Sequence, residues 1–89
     1  MRQRKRLLQA FLSDRAKDYR KENGLSQEAM SELLHIAARS YSDLEHKRSC
    51  FSGVTLMVFL SMMDEKRLLK FHRDLCVLIK RGDESYEGL

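Results

Sequence analysis

Arg39, Ser42, Asp43 and His46 recur at intervals of three and four residues, the spacing that lines side chains along one face of a helix. Tyr41 and Leu44 fall on the opposite face, so the polar set points away from the interior. The chemistry available to that set is recognition by hydrogen bonding. A guanidinium such as that of Arg39 donates two parallel hydrogen bonds, and guanine O6 and N7 in a DNA major groove form a matching pair of acceptors. Such a contact discriminates against a wrong base by about 1 to 3 kcal/mol. An ordinary solvated helix face has the same composition, so the reading depends on the elements around it.

Other chemistries lack the necessary spacing. His35, His46, His72, Cys50 and Cys76 offer only a lone His46-x3-Cys50 pair, whereas zinc sites want four ligands. No metal or cofactor is expected. No nucleophile, base and orienting group stand at a recognisable spacing, and no glycine-rich loop could cradle a phosphate, so the chain is not expected to be an enzyme. The two cysteines form no Cys-x-x-Cys pair and are expected as free thiols, with Cys76 a small core residue on an apolar helix face.

The elements that must position the polar face follow from hydrophobic periodicity. Leu8, Leu12, Ala16 and Tyr19, widened by Phe11, predict a first helix over residues 4–22, ended by Asn23-Gly24. Ser26 can cap a second helix reaching Leu34, with Met30 and Leu34 inward and Glu28 near the positive end of its dipole. His35 falls in the turn, at a position where a left-handed backbone would suit glycine better. Ile36 plugs the space between helices, and a third helix runs from Ala37 or Ala38 to about His46. Two short helices about a three-residue turn form a helix-turn-helix, whose second helix packs across the first and leaves one face free to enter a DNA groove.

Ser52 can cap a fourth helix over residues 53–63, apolar on most sides and therefore expected as the central buried element, with Met57, Met62 and Met63 as core fillers. Asp64 can cap a fifth over 65–81, striped by Leu68, Phe71 or His72, Leu75, Leu78 and Ile79, and residues 82–89 are expected to fray. The class is all-α, five helices with extended first and last members.

Composition agrees. The 89 residues contain no proline and only four glycines, and are rich in good helix formers. That length allows one domain, residues 1–89. The longest apolar run, Val54 to Leu60, is far too short to span a bilayer, and no secretory signal pattern follows the basic start, so a soluble cytoplasmic protein is expected. The net charge of +4 is unevenly spread: +5 over residues 1–24, −1 over 25–52, and zero over 53–89. Arg2, Arg4, Lys5 and Arg6 could form an arm, residues 1–6, that reaches phosphate, with Arg4 and Lys5 as its contacts; an unbound basic tail is the competing reading.

The run RKENGLSQEAMSEL at residues 20–33, then SYSDLE at 40–45 and SGVTL at 52–56, closely resembles the lambda-repressor-like (Xre/Cro) helix-turn-helix family, over roughly residues 12–63. The resemblance implies a five-helix DNA-binding domain that docks helix three in the major groove of double-stranded DNA as a transcriptional regulator, most simply a repressor. It also implies that Gln27 contacts a phosphate, that Ala37, Ala38, Arg39, Ser42 and Asp43 face base edges, and that Lys47 and Arg48 lie where a loop meets the DNA backbone. In that frame either alanine could offer a methyl contact to thymine, and Asp43 could accept from cytosine N4. Arg20 and Glu45 match an internal ion pair and are assigned to structure. The chain departs from the family at His35 and Lys47, where glycines are usual, and at Phe51, where proline is common.

The fifth helix carries a stripe wider than one neighbour covers, which points to a homodimer through that helix, perhaps with helix one. The alternative is an antitoxin-like or adaptor module whose main partner is a protein bound to helix five or the N-terminal helix, favoured by the sparse positive charge across residues 25–52.

Overall fold

The computed structural model describes the backbone of residues 2–87 and the side chains of 4–81. It has five helices: α1 (Arg2–Glu22), α2 (Gln27–Leu34), α3 (Ala38–Glu45), α4 (Gly53–Met62) and α5 (Glu65–Glu87), and no strand among the described residues. Three caps act as their residue types require. The Ser26 hydroxyl accepts from the Ala29 N–H at 3.0 Å, Ser52 accepts from Thr55 N–H at 3.1 Å, and Asp64 accepts from Arg67 N–H at 2.8 Å.

The first three helices end in the same lock. After α1, Leu25 N–H bonds to Arg20 C=O and Gly24 N–H to Lys21 C=O; after α2, Ile36 bonds to Ser31 and His35 to Glu32; after α3, Arg48 bonds to Asp43 and Lys47 to Leu44. This Schellman arrangement requires a left-handed residue, and Gly24, His35 and Lys47 have φ of 64°, 59° and 64°. Glycine fills that position without steric cost; histidine and lysine do not.

The core is Ala16, Met30, Leu34, Tyr41, Phe59 and Phe71, with Leu44 also buried. Phe59 of α4 is fully buried, with Tyr19, Phe51 and Phe71 rings at centroid distances of 6.0, 5.8 and 6.4 Å, and Phe11 packs on Phe71 at 5.1 Å. Fully burying a side chain of that kind contributes about 1.5 to 3 kcal/mol. Charges fasten α5 along α1: Arg15 to Asp74 at 3.0 Å, and Glu22 to Arg67, whose guanidinium also lies over Tyr19. Lys70, on the same helix as Asp74, completes the first pair at 3.1 Å and, with Arg15, holds the Asp74 carboxyl below its usual range.

Several expectations need correction. α4 is not buried on most sides: Thr55 and Phe59 are, but Val54 is 75% and Met57 71% exposed. The chain is too short to surround a helix that is apolar all round. Cys76 is exposed rather than core, and so are Leu68 and His72; of the expected α5 stripe Phe71 is buried and Leu75, Leu78 and Ile79 are half-buried. The basic segment expected as an arm is, from Arg2 onward, the opening of α1, and α5 continues through Gly82 to Glu87. The expected fraying of residues 88 and 89 lies outside the described residues.

Candidate nucleic-acid interface

α3 buries Tyr41 and Leu44 and leaves Arg39 exposed in its first turn. Ala37, Ala38, Arg39 and Ser40 are exposed at its start, while Ser42 and Asp43 are half-buried further along. Ala37 caps the helix without a side-chain bond, so the α3 N-terminus carries no internal acceptor. Arg39 makes no hydrogen bond or ion pair among the described residues, unlike Arg20, Lys47 and Arg48 nearby.

What fixes α3 is a set of bonds from α1 to its end. The Ser13 hydroxyl, buried, donates to Leu44 C=O at 2.6 Å, and the Gln9 amide donates to Lys47 C=O and Ser49 C=O, both at 3.1 Å. Arg20 grips Glu45 with two parallel bonds, Nε to Oε2 at 2.9 Å and a terminal nitrogen to Oε1 at 2.7 Å, and reaches Leu25 C=O at 3.2 Å. This fork geometry is the strongest form of arginine–carboxylate contact. The Glu45 side chain is 4% exposed and that of Arg20 16%.

Burial opposes ionisation of Glu45 more than any other single influence, but the bonds from Arg20 and Gln27 and the nearby Tyr41 hydroxyl together outweigh it and hold the carboxyl down to about 2. Burial, then the neighbouring Glu45 charge, raises the Tyr41 phenol well above its ordinary value. Its oxygen is enclosed, and within normal hydrogen-bond geometry it has no partner; its influence on Glu45 is therefore one of proximity.

Of the expected phosphate contacts, Gln27 is half-buried and its amide donates to Glu45 Oε1 at 3.3 Å. That amide is engaged inside the protein, while the backbone N–H groups of Gln27 and Glu28 have no acceptor within α2. Lys47 leans to Asp14 and Arg48 to Asp43, each at 3.6 Å. Both pairs are largely solvated and weak, so either cation is free to exchange partners. Arg4 and Lys5 are exposed on the first turns of α1. The structure thus brings Gln27, Arg20 and Glu45 into one network, and Asp43 and Arg48 into one pair.

Sequence reasoning passed over Gln9 and Ser13, which tie α1 to the end of α3, and Ser40, exposed beside Arg39. It also left His46 out of the base-facing set. The His46 ring folds back, Nδ1 donating to Ser42 C=O at 2.8 Å. A polar residue on an inward stripe, Ser13 beside Leu12 and Ala16, was the available signal.

A groove of about 740 Å³ runs between α1 and α5. Its lining includes Arg15, Glu22, Arg67, Lys70 and Asp74, which are engaged in ion pairs with one another, and no residue of α3.

Two short helices, a left-handed turn and an exposed polar second helix define a helix-turn-helix protein. A Helix-turn-helix family model matches residues 17–62, more than half of the chain and nearly all of the span that resembled the family in sequence. The chain belongs to the lambda-repressor-like (Xre) helix-turn-helix family, a family of DNA-binding regulators with this all-α fold. No curated protein and no solved structure matches it. No described helix is long and apolar enough to cross a membrane.

Proposed function

We propose that the chain is a sequence-specific regulator of transcription, most simply a repressor, that seats α3 in the major groove of double-stranded DNA. The observation that carries this reading is Arg39: an exposed guanidinium on the outer face of the second helix of the motif, without an internal partner among the described residues. Arg39 reads guanine; Ala37, Ala38 and Ser42 pack against neighbouring base edges, and Asp43 accepts from cytosine when Arg48 leaves it for phosphate. The free N–H groups at the start of α2 receive a phosphate oxygen beside Gln27, whose amide is held in place by Glu45. Lys47, Arg48, Arg4 and Lys5 supply backbone charge, and two copies joined through α5 read two half-sites.

Selection of bound sequences from random duplexes at two salt concentrations tests this. A two-fold symmetric motif, with affinity falling steeply as salt rises, is expected. Recovery of unenriched sequence at both salt levels refutes it.

A second reading has its own observation. Val54 and Met57 stand exposed on one face of α4, away from the buried Phe59, and a protein partner would cover them. On that reading the fold serves as an antitoxin-like or adaptor module. Val54→Lys with Met57→Lys leaves DNA affinity within a few-fold if DNA is the principal partner.

A further inference from the structure

His72 and Cys76 stand one helical turn apart on the exposed side of α5, with Cys76 Sγ and His72 Nε2 3.6 Å apart. Tetrahedral zinc binds thiolate at about 2.3 Å and imidazole at about 2.0 to 2.1 Å, which separates the two donor atoms by about 3.5 Å. The pair is therefore already set at the spacing of two adjacent zinc ligands. Among the described residues no third His, Cys, Asp or Glu is close enough to join them. One chain thus presents half a tetrahedron.

We propose that His72 and Cys76 form half of a zinc site, completed by the same pair from a second copy of the chain. The proposal rests on the pairing of copies through α5. Two-fold symmetry repeats any patch on both partners, so two antiparallel α5 helices crossing near residue 74 set each His72 opposite the other copy's Cys76. Leu68 and Leu69, one turn before His72 and 39% and 61% exposed, supply apolar surface on the same side. Charge favours the shared site as well. Arg73 and Lys80 flank the pair on the exposed surface, and a single-chain complex with one thiolate would leave a net positive ion beside them. With two thiolates the ion is neutralised, and each thiol releases one proton on binding.

The test is titration of Co²⁺ into reduced, metal-free, tag-free full-length protein. The expected result is a near-ultraviolet thiolate-to-cobalt band with intense tetrahedral visible bands, saturating at one ion per two chains, while light scattering reports a dimer that chelator weakens. Cys76→Ser and His72→Asn should each abolish the bands, Cys50→Ser should keep them, and Zn²⁺ should displace Co²⁺. No thiolate band, bands that survive Cys76→Ser, or saturation at one ion per chain with a monomer mass overturns the proposal. A dimer that forms equally well in chelator, with no cobalt band, overturns the metal site and leaves the pairing through α5 intact. Loss of pairing under all conditions removes both.

Discussion

Replacing Glu45 by glutamine removes the charge from the network that joins α1, α2 and α3 while keeping the side-chain shape. The carboxyl falls from 4.5 to about 2 on folding. At about 1.4 kcal/mol for each pH unit, that difference contributes about 3 kcal/mol of stability at neutral pH. The sign follows from the lowered folded-state value: the contribution is complete well above 4.5 and is lost as pH falls toward 2. By about pH 3.5 roughly 1.4 kcal/mol of it is gone. Urea unfolding of wild type and Glu45→Gln, followed by far-ultraviolet circular dichroism, should show a gap of about 3 kcal/mol near pH 7 that narrows to about half by pH 3.5. In a small domain such a gap is a large share of the total stability. A gap below about 1 kcal/mol, the size expected of an exposed pair, would refute the buried-fork account. So would a gap that did not change with pH.

Other substitutions test separate parts of the fold. Ser13→Ala removes the 2.6 Å donor from the buried Leu44 carbonyl, which keeps only the Lys47 N–H, and should cost about 1 kcal/mol, read as a lowered thermal midpoint. His35→Gly relieves a left-handed backbone at an exposed side chain and should stabilise by roughly 0.5 to 1 kcal/mol in the same assay. On α4, Phe59→Ala should cost about 3 to 5 kcal/mol, whereas Met57→Ser should stay within about 0.5 kcal/mol of wild type. Comparable losses for those two would show that α4 is covered on both sides.

The inward half of the motif was legible because period and residue type agree there. Met30, Leu34, Tyr41 and Leu44 are buried as their spacing requires, and Ser26, Ser52 and Asp64 cap their helices; that Arg20 meets Glu45 was implied by the family resemblance and not by spacing. The burial of α4 was not legible. A helix apolar on nearly every side carries no direction in its sequence, and which side meets α1 and α2 is decided by how little chain remains to cover the rest. Cys76 misled for a related reason: it lies beside the α5 stripe, and a displacement of a fraction of a turn separates core from surface. Gln9 and Ser13 depend on the crossing of α1 over the end of α3, which no local pattern encodes. The outer face of α3 was legible as polar; that Lys47 and Arg48 pair with Asp14 and Asp43, and Gln27 with Glu45, was not, because those partners are set by tertiary packing.

The most direct test of the central claim compares wild type and Arg39→Ala on a selected duplex and on random duplex, by fluorescence anisotropy at fixed salt. If Arg39 reads a base, the substitution costs about 1 to 3 kcal/mol on the selected sequence and much less on random DNA, so the specificity ratio falls about 5- to 150-fold. An equal loss on both, or none on either, would contradict the assignment of α3 as the reading helix.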